Sequence, residues 1–404
     1  MTTALLILLG LAATAVLAAS VYLALLTVVA LLPSLVGPGM GPRANRFVIV
    51  IPAPNESMNI EPVVKGLSNL DYPEHLVDVV VVADNCSDDT AARARSAGAS
   101  VIERVDADRV GKGFALQDAF AELLTWDQHY DAFVVLDADS ITSENLLAAF
   151  DSQLCAGQHV IQAHYDVLNP DDNWRTTLMS AALAAVHMLR PVARRRLGLS
   201  AGLKGNGMCF SREVIDRFGW PAHSIVEDIE FTLTLWEHGL KVAFAREAKV
   251  STQMPSGAAE FATQRARWEG GRRALLIESA GRLLPRVVRR FDLVALDLLA
   301  ELAIPPLSQL VAFSVLVLGS AWGLAWMELL PWWPVQYAAA ALILQVTYVM
   351  GALRLVKAPR STWTPCSMHR SHQDRELKTE ARVTVATRGR TVTHDRIQRT
   401  SDVV

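Results

Sequence analysis

Residues 4–32 contain no charged side chain. Few constraints on a fold are stronger. Inside a bilayer every backbone N–H and C=O must be paired within the segment, so an apolar run longer than about 20 residues is read as one spanning helix. A cleaved signal peptide is the competing reading. The opening MTT carries no positive charge, and the run exceeds an apolar signal core of about 7–15 residues, so a retained helix is expected. Two later runs, 302–327 and 334–353, are also free of charge. Trp322, Trp326, Trp332 and Trp333 gather where these two runs meet, as side chains of an aromatic interface belt do. Arg43 and Arg46 follow the first run, and Arg354, Lys357 and Arg360 follow the last. By the positive-inside rule these flanks, and the segment between them, face the cytosol.

This divides the 404 residues into a spanning helix (1–35), a cytosolic domain (36–283), an interfacial amphipathic helix (284–301), two spanning helices (302–353) and a basic, flexible tail (354–404). In residues 285–303, Arg286, Arg289 and Arg290 alternate with Val287, Val288, Phe291 and Leu293. That pattern suits a helix lying on an anionic membrane surface, or else the polar start of a long spanning helix. The chain is 51% hydrophobic and 20% charged, too apolar for an ordinary soluble enzyme. A net charge of −3 gives no electrostatic reason to expect a nucleic-acid partner. Cys86, Cys155, Cys209 and Cys366 have neither metal-ligand spacing nor a pairing pattern, which fits a reducing compartment.

Between the spans, short β-branched runs alternate with helical stretches. Residues 47–51, 77–83, 100–103 and 132–138 read as strands, and the segments between them as helices. Repeated strand-then-helix order predicts an α/β fold with a mostly parallel sheet flanked by helices. Ligands of such sheets bind beyond the carboxyl ends of the strands. Three of those ends are acidic: PAPNES with Glu56, DNCSDDT with Asp84, and DADS with Asp137 and Asp139. One acid there is ordinary turn chemistry. Acids after three strands of one sheet share an edge, and a divalent cation is the natural partner, since Mg2+ combines one or two carboxylates with substrate phosphates. In extended backbone, Asp137 and Asp139 would face the same way.

Lys112, between Gly111 and Gly113, is placed to approach a phosphate or a base, or is simply a loop lysine beside a helix start. Glu227 and Asp228 open a stretch of helical spacing, where helix capping is the plain alternative to chemistry. In QRARW, Gln264, Arg265, Arg267 and Trp268 combine guanidinium groups suited to a diphosphate with a ring on which a sugar stacks. A basic helix face is the alternative. The glycines of KGNGMCFS, Gly205 and Gly207, permit close backbone approach to a ligand. The stretch 174–196 reads as an apolar helix ending in arginines, at the membrane surface or in the core, with His187 structural. Cys209 reads as a packing residue.

IPAPNE, DNCSDDT, DADS and VEDIE followed by QRARW occur in an order that resembles the membrane-embedded family 2 glycosyltransferases of GT-A fold, which include cellulose, chitin, hyaluronan and poly-N-acetylglucosamine synthases. The resemblance covers residues 45–275. It implies that Glu56 and Asp84 hold the uracil and ribose of a UDP-sugar, that Lys112 and Asp137 lie near the nucleotide, and that Asp139 binds Mg2+ or Mn2+. It further implies Asp228 as general base with Glu227 beside it. Arg265 and Arg267 then lie on the donor diphosphate, and Gln264, Trp268, Gly205 and Asn206 near the acceptor. Where the family often has His, Tyr or Arg, this chain has Pro54, which lacks an N–H. The implied activity is inverting hexosyl transfer, of glucose or N-acetylglucosamine, to a growing β-linked polysaccharide at the plasma membrane, or to a membrane lipid. Three spans are scant for a sugar-conducting pore, so a homo-oligomer or an accessory export subunit is an expected partner for polymer synthesis, alongside membrane lipids.

Overall fold

The computed structural model describes residues 2–33, 43–254 and 258–356, and among these the side chains of 258–265 are left aside. The expected tail, with Lys357, Arg360 and Cys366, falls outside the described residues. The chain runs α1 (Thr2–Leu31), β1 (Phe47–Pro52), α2 (Ile60–Leu67), β2 (Val77–Asp84), α3 (Thr90–Ser96), β3 (Ser100–Arg104), α4 (Lys112–Leu123), β4 (Ala132–Val135), β5 (Ile141–Thr142), α5 (Leu146–Cys155) and β6 (Val160–Val167). It continues through α6 (Trp174–Leu183), α7 (Arg190–Arg196), β7 (Met208–Ser211), α8 (Arg212–Phe218), α9 (Glu227–Glu237), β8 (Ala243–Thr252), α10 (Ala258–Arg290), α11 (Leu293–Ala303), α12 (Leu307–Trp326) and α13 (Trp333–Val356).

The eight strands form one sheet in the order β3-β2-β1-β4-β7-β6-β8-β5. β3, β2, β1 and β4 are mutually parallel, with Ile49 level with Val79 on one side and Val134 on the other. β7 runs antiparallel between β4 and β6, and β5 antiparallel to β8. The α/β expectation therefore holds, in a mixed sheet whose parallel half carries the acidic strand ends. Successive side chains of a strand point to opposite faces, and β1 is buried on both. Val48 and Val50 join a core with Phe120, Phe133, Trp220 and Phe231. Phe47, Ile49 and Ile51 join the opposite one with Ala94, Val134 and Phe150. Cys209 is fully buried in the second core and burial pushes its thiol well up, as its packing role requires.

α1, α12 and α13 are long and apolar enough to cross a membrane. They pack against one another through small residues: Ala13 with Val317 and Ala338, and Ala321 and Ala325 with Val335. Gly10 leaves room for the Trp333 ring, and Gly351 for Thr27 and Leu189. Small side chains let helices approach closely where hydrophobic driving force is lacking. Trp322, Trp326 and Trp332 remain exposed at the shared end of α12 and α13, as a belt requires. The opposite end of the bundle meets the sheet domain through residues 174–196. This stretch is one helical rod, α6 and α7 joined by a π-helical turn at Ala184–Leu189. It is wedged between β6 and α13, so the surface-or-core alternative resolves as a packed seam.

Charges cross that seam in pairs. Arg194 Nε lies 2.9 Å from Asp297 Oδ2, and Arg194 Nη2 lies 2.6 Å from Glu301 Oε2. Arg190 Nη1 lies 2.9 Å from the same Glu301 oxygen, and Tyr22 donates to Asp297 Oδ1 at 2.6 Å. Spaced four apart on α7 and on α11, the partners share one face of each helix. Four charges in an apolar run are tolerated because each is matched.

The single interfacial helix expected over 284–301 is corrected to two pieces. α10 continues through Pro285, whose ring removes one helical N–H but does not end the helix. The break comes at Phe291, which adopts φ 52°, and Asp292 then caps α11 by accepting from the N–H groups of Val294 and Ala295 at 3.0 Å each. Val288 and Phe291 are exposed beside Arg289 and Arg290. Pro305 and Pro306 separate α11 from α12, so α11 is not the start of the span.

Asp297→Ala leaves Arg194 buried with half its partners and should cost about 3–5 kcal/mol. A thermal scan in detergent should show a clear fall in midpoint, and Arg194→Met with Asp297→Leu should recover most of it.

Candidate active site

β1, β2 and β4 are neighbours and parallel, so their carboxyl ends share one edge. The loops that follow them interlock. Asn55 adopts φ 54°, and its side-chain oxygen accepts the Ser87 N–H at 2.8 Å. The Glu56 N–H donates to Thr90 Oγ1 at 2.8 Å, and Asn59 donates to the Glu56 carboxylate at 2.9 Å. Asp84, at the end of β2, is buried against Arg104, whose Nη1 donates to it at 2.7 Å. Arg104 also donates to Asp118 at 2.7 Å. It was absent from the expected site; its signal was a basic residue ending the strand beside an acidic one.

Asp137 and Asp139 do not lie on extended backbone, a correction to the expected geometry. β4 ends at Val135, and a turn follows in which the Ser140 N–H donates to the Asp137 carbonyl at 3.1 Å. Asn206 clamps this turn, accepting from the Asp137 N–H at 3.2 Å and donating to Ser140 Oγ at 2.8 Å. Its side chain is buried and holds this turn. Its glycine neighbours are required by shape. Gly207 has φ 67°, and a Cβ there would lie 2.8 Å from Val250 Cγ2. Gly205 has φ 79°, and a Cβ there would lie 3.8 Å from Asp228 Oδ2. The loop thus passes directly over the acidic pair of α9.

Lys112, the first residue of α4, ties these parts together. Its ammonium is paired with Asp137 Oδ1 and donates to the Gly205 carbonyl at 2.6 Å. Burial opposes its charge, but Asp137, Glu227 and Asp228 outweigh burial and hold it above the ordinary lysine range. Burial pushes Asp139 up to about 6, and the Asp137 and Glu56 carboxylates add to the push. Burial pushes Glu227 up to about 7, with Lys112 pulling it down and Asp228 pushing it up. Asp228 is also raised by burial, against Lys204, its own bond from the Ile229 N–H at 2.9 Å, and Lys112. The N-cap of α9 is Val226 and no side chain caps it, so the Asp228 carboxylate meets an N–H of the first turn, where the helix dipole favours negative charge.

α10 passes the same place. A Cβ on Gly271 would lie 3.2 Å from both methyl groups of Val226, the residue before Glu227. Arg267 and Trp268 precede Gly271 by one turn and so lie near that face; both are exposed. Gln264 and Arg265 are outside the described side chains. His187 is stacked on Tyr165 at 5.0 Å between centroids, and burial pushes it down to about 3, consistent with a neutral structural residue. Among the described residues no three His, Cys, Asp or Glu side chains form a metal cage. A cation here would rest on few carboxylates, as Mg2+ does when phosphates complete its shell, and the acids crowded around Asp139 offer the negative field for it.

The sequence profile described as Glycosyltransferase like family 2 matches residues 42–271. A probable glycosyltransferase, YdaM, of Bacillus subtilis (strain 168) is 24% identical over 241 residues, which are 57% of this chain and 56% of that protein. A beta-monoglucosyldiacylglycerol synthase of Synechocystis sp. is 28% identical over 233 residues, 55% of this chain and 47% of that one. The chain thus spans about half the length of the curated relatives it matches. Among solved structures, the mannosyltransferase PcManGT from Pyrobaculum calidifontis, in complex with GDP-Man and Mn2+, has a similar fold. The TM-score is 0.54 at 18% identity, over 88% of this chain and 98% of that one.

Glu227 has a raised folded-state value, so the fold binds more protons than the unfolded chain between about pH 4.5 and 7, and the group costs stability as pH rises through that window. Glu227→Gln should therefore raise the thermal midpoint of the ligand-free protein at pH 8 and leave it nearly unchanged at pH 4.5.

Proposed function

The chain belongs to glycosyltransferase family 2, and from that premise we propose that it transfers a hexose, glucose or N-acetylglucosamine, from a UDP-sugar to a membrane-held hydroxyl, with inversion at the anomeric carbon. The observation that carries this reading is the gathering of Asp137, Asp139, Glu227 and Asp228 around one ammonium, that of Lys112, at the ligand-binding edge of the sheet.

Asp228 is the base. It removes the proton of the acceptor hydroxyl as that oxygen attacks the anomeric carbon, and the UDP oxygen departs from the opposite face. Its first-turn position and its bond from Ile229 fix the carboxylate in direction. Glu227, pushed up to about 7, stays largely protonated below neutrality and spares Asp228 a second full negative charge. Glu56 and Asp84 hold the uridine, Asp84 kept rigid by Arg104. Asp139 would hold Mg2+ or Mn2+ beside the diphosphate, where a divalent cation supplies charge stabilisation to the leaving group. Arg265 and Arg267 add guanidinium charge there, and Gln264 and Trp268 face the acceptor.

The acceptor we favour is a lipid. Among the described residues, α1, α12 and α13 close on each other through alanine and glycine contacts, which favours an acceptor reached from the membrane surface. The synthase of Synechocystis is named for a glucosylated diacylglycerol, which points the same way. The second reading, a β-linked polysaccharide, rests on the QRARW element and requires chains to assemble or an export subunit to join. The catalytic domain faces the cytosol in both readings, at the plasma membrane, since Arg196 bonds to carbonyls of Val29 and Ala30 at the end of α1 that the basic flank marks as inside.

Membranes incubated separately with radiolabelled UDP-glucose and UDP-N-acetylglucosamine, with Mg2+ or Mn2+, should pass label into organic extract. Label confined to high-mass material would favour the polymer, and label in neither fraction would refute glycosyl transfer from these donors. Asp228→Asn should lower kcat by about 10²–10⁴-fold with UDP binding intact, and full turnover by this variant would refute the base assignment.

A further inference from the structure

Lys204 was not among the residues expected at the site, yet its ammonium pairs with Glu301 of α11, and its loop passes over Asp228, where a Cβ on the next residue, Gly205, would lie 3.8 Å from Asp228 Oδ2. Its backbone N–H donates to Gln162 Oε1 at 2.8 Å, and Gln162 in turn donates to the Asn206 carbonyl at 2.7 Å. The preceding N–H, of Leu203, donates to Thr232 Oγ1 at 2.9 Å, and that hydroxyl donates to the Asp228 carbonyl at 2.8 Å. The side chain folds back over its own loop: a Cβ on Gly202, which has φ 74°, would lie 3.8 Å from Lys204 Nζ and 4.0 Å from Thr232 Cγ2. Nζ lies 3.3 Å from Glu301 Oε1, and the lysine side chain is only 9% exposed.

Glu301 does not need this lysine for neutrality. Its other oxygen already receives Arg190 and Arg194, and Arg272 donates to the Glu301 and Ile304 carbonyls beside it. The ammonium is therefore an added charge beside a carboxylate that two guanidinium groups already meet. Burial raises the Asp228 carboxyl, and the Lys204 charge opposes that rise, as does Lys112. We propose that Lys204 is a positioning residue for the transfer reaction: held by Glu301 of α11, it fixes a positive charge beside Asp228 and so links the base to the helix that leads into the spans. This rests on the base assignment made above.

The charged and titratable groups that bear on this lysine and the base come from every packed element: Glu301 on α11, Arg190 and Arg194 on α7, Arg272 on α10, His187 on the π-helical turn, Lys112 on α4 and Glu227 beside Asp228. A lysine that only braced the fold would, when removed, lower activity or stability evenly at all pH values. A lysine that favours the ionised base moves the acidic limb of the pH profile. Removing an opposite charge at close range raises a carboxyl group by about one unit or more.

The full chain in detergent, with the UDP-sugar it turns over, is the system for the test. Lys204→Met should move the acidic limb of kcat/KM upward by about one pH unit, while equilibrium binding of UDP with Mn2+ stays within about twofold. Lys204→Arg should return the limb to the wild-type position. Should Lys204→Met fail to bind UDP, Lys204→Gln, which keeps a polar chain, replaces it with the same expectation. An unmoved limb in the neutral variant, or an equal displacement in Lys204→Arg, overturns the proposal while leaving the transfer reaction standing. Absence of turnover by the wild-type chain from any UDP-sugar, despite UDP binding, overturns the transfer reading and this proposal with it.

Discussion

Carboxylates brought together in a half-buried cleft repel one another, and the site is organised around that repulsion. Parallel pairing of β1, β2 and β4 delivers Glu56, Asp84, Asp137 and Asp139 to one edge. The start of α9 delivers Glu227 and Asp228 to the same place. Each acid then needs its own answer. Asp84 is neutralised by Arg104, Asp137 by Lys112, and Glu227 by taking a proton near neutrality. Asp139 keeps the least compensation, which suits a group that would meet a cation. Different answers for neighbouring carboxylates are what let one be a base and another a ligand.

The loop 202–207 makes this arrangement rigid. Two of its glycines adopt positive φ where side chains would collide or cover the base, and Asn206 spends both ends of its amide on the DAD turn. The same loop carries Lys204 toward Glu301. The active edge and the membrane-side helices are therefore joined through hydrogen-bonded and ion-paired contacts as well as apolar packing. Such contacts have a defined geometry and transmit position more sharply than apolar packing does. Through Glu301 and Arg190, which donates to Tyr348, the acidic edge is tied to α13, one of the helices long and apolar enough to cross a membrane.

Sequence reading and structure part company at instructive places. The carboxyl ends of β1, β2 and β4 were legible because strand-helix alternation implies parallel pairing, and parallel pairing fixes which ends coincide. The conformation of Asp137–Asp139 was misread as extended, because a two-residue spacing looks alike in a strand and in a turn. The interfacial helix expected from residue 284 begins instead as the end of α10, which runs through Pro285 to Arg290 before the chain breaks at Phe291. Asp297 and Glu301 in VALDLLAELA, and Arg190 and Arg194 in RPVARRR, have matching four-residue spacing. Their pairing was invisible only because nothing local says which helix lies opposite.

By itself the sequence determined three helices long and apolar enough to span a membrane, the α/β alternation and the set of acidic motifs, since each depends on charge, periodicity or order within a short stretch. Only the tertiary structure decided which acid is neutralised by which cation, that Asn206 clamps the DAD turn, and that Lys204 pairs with Glu301. The reason is physical. Composition and periodicity act over one or two turns of chain, whereas the ionisation of a buried carboxylate is set by charges a few ångströms away that belong to residues about twenty to a hundred positions distant along the chain.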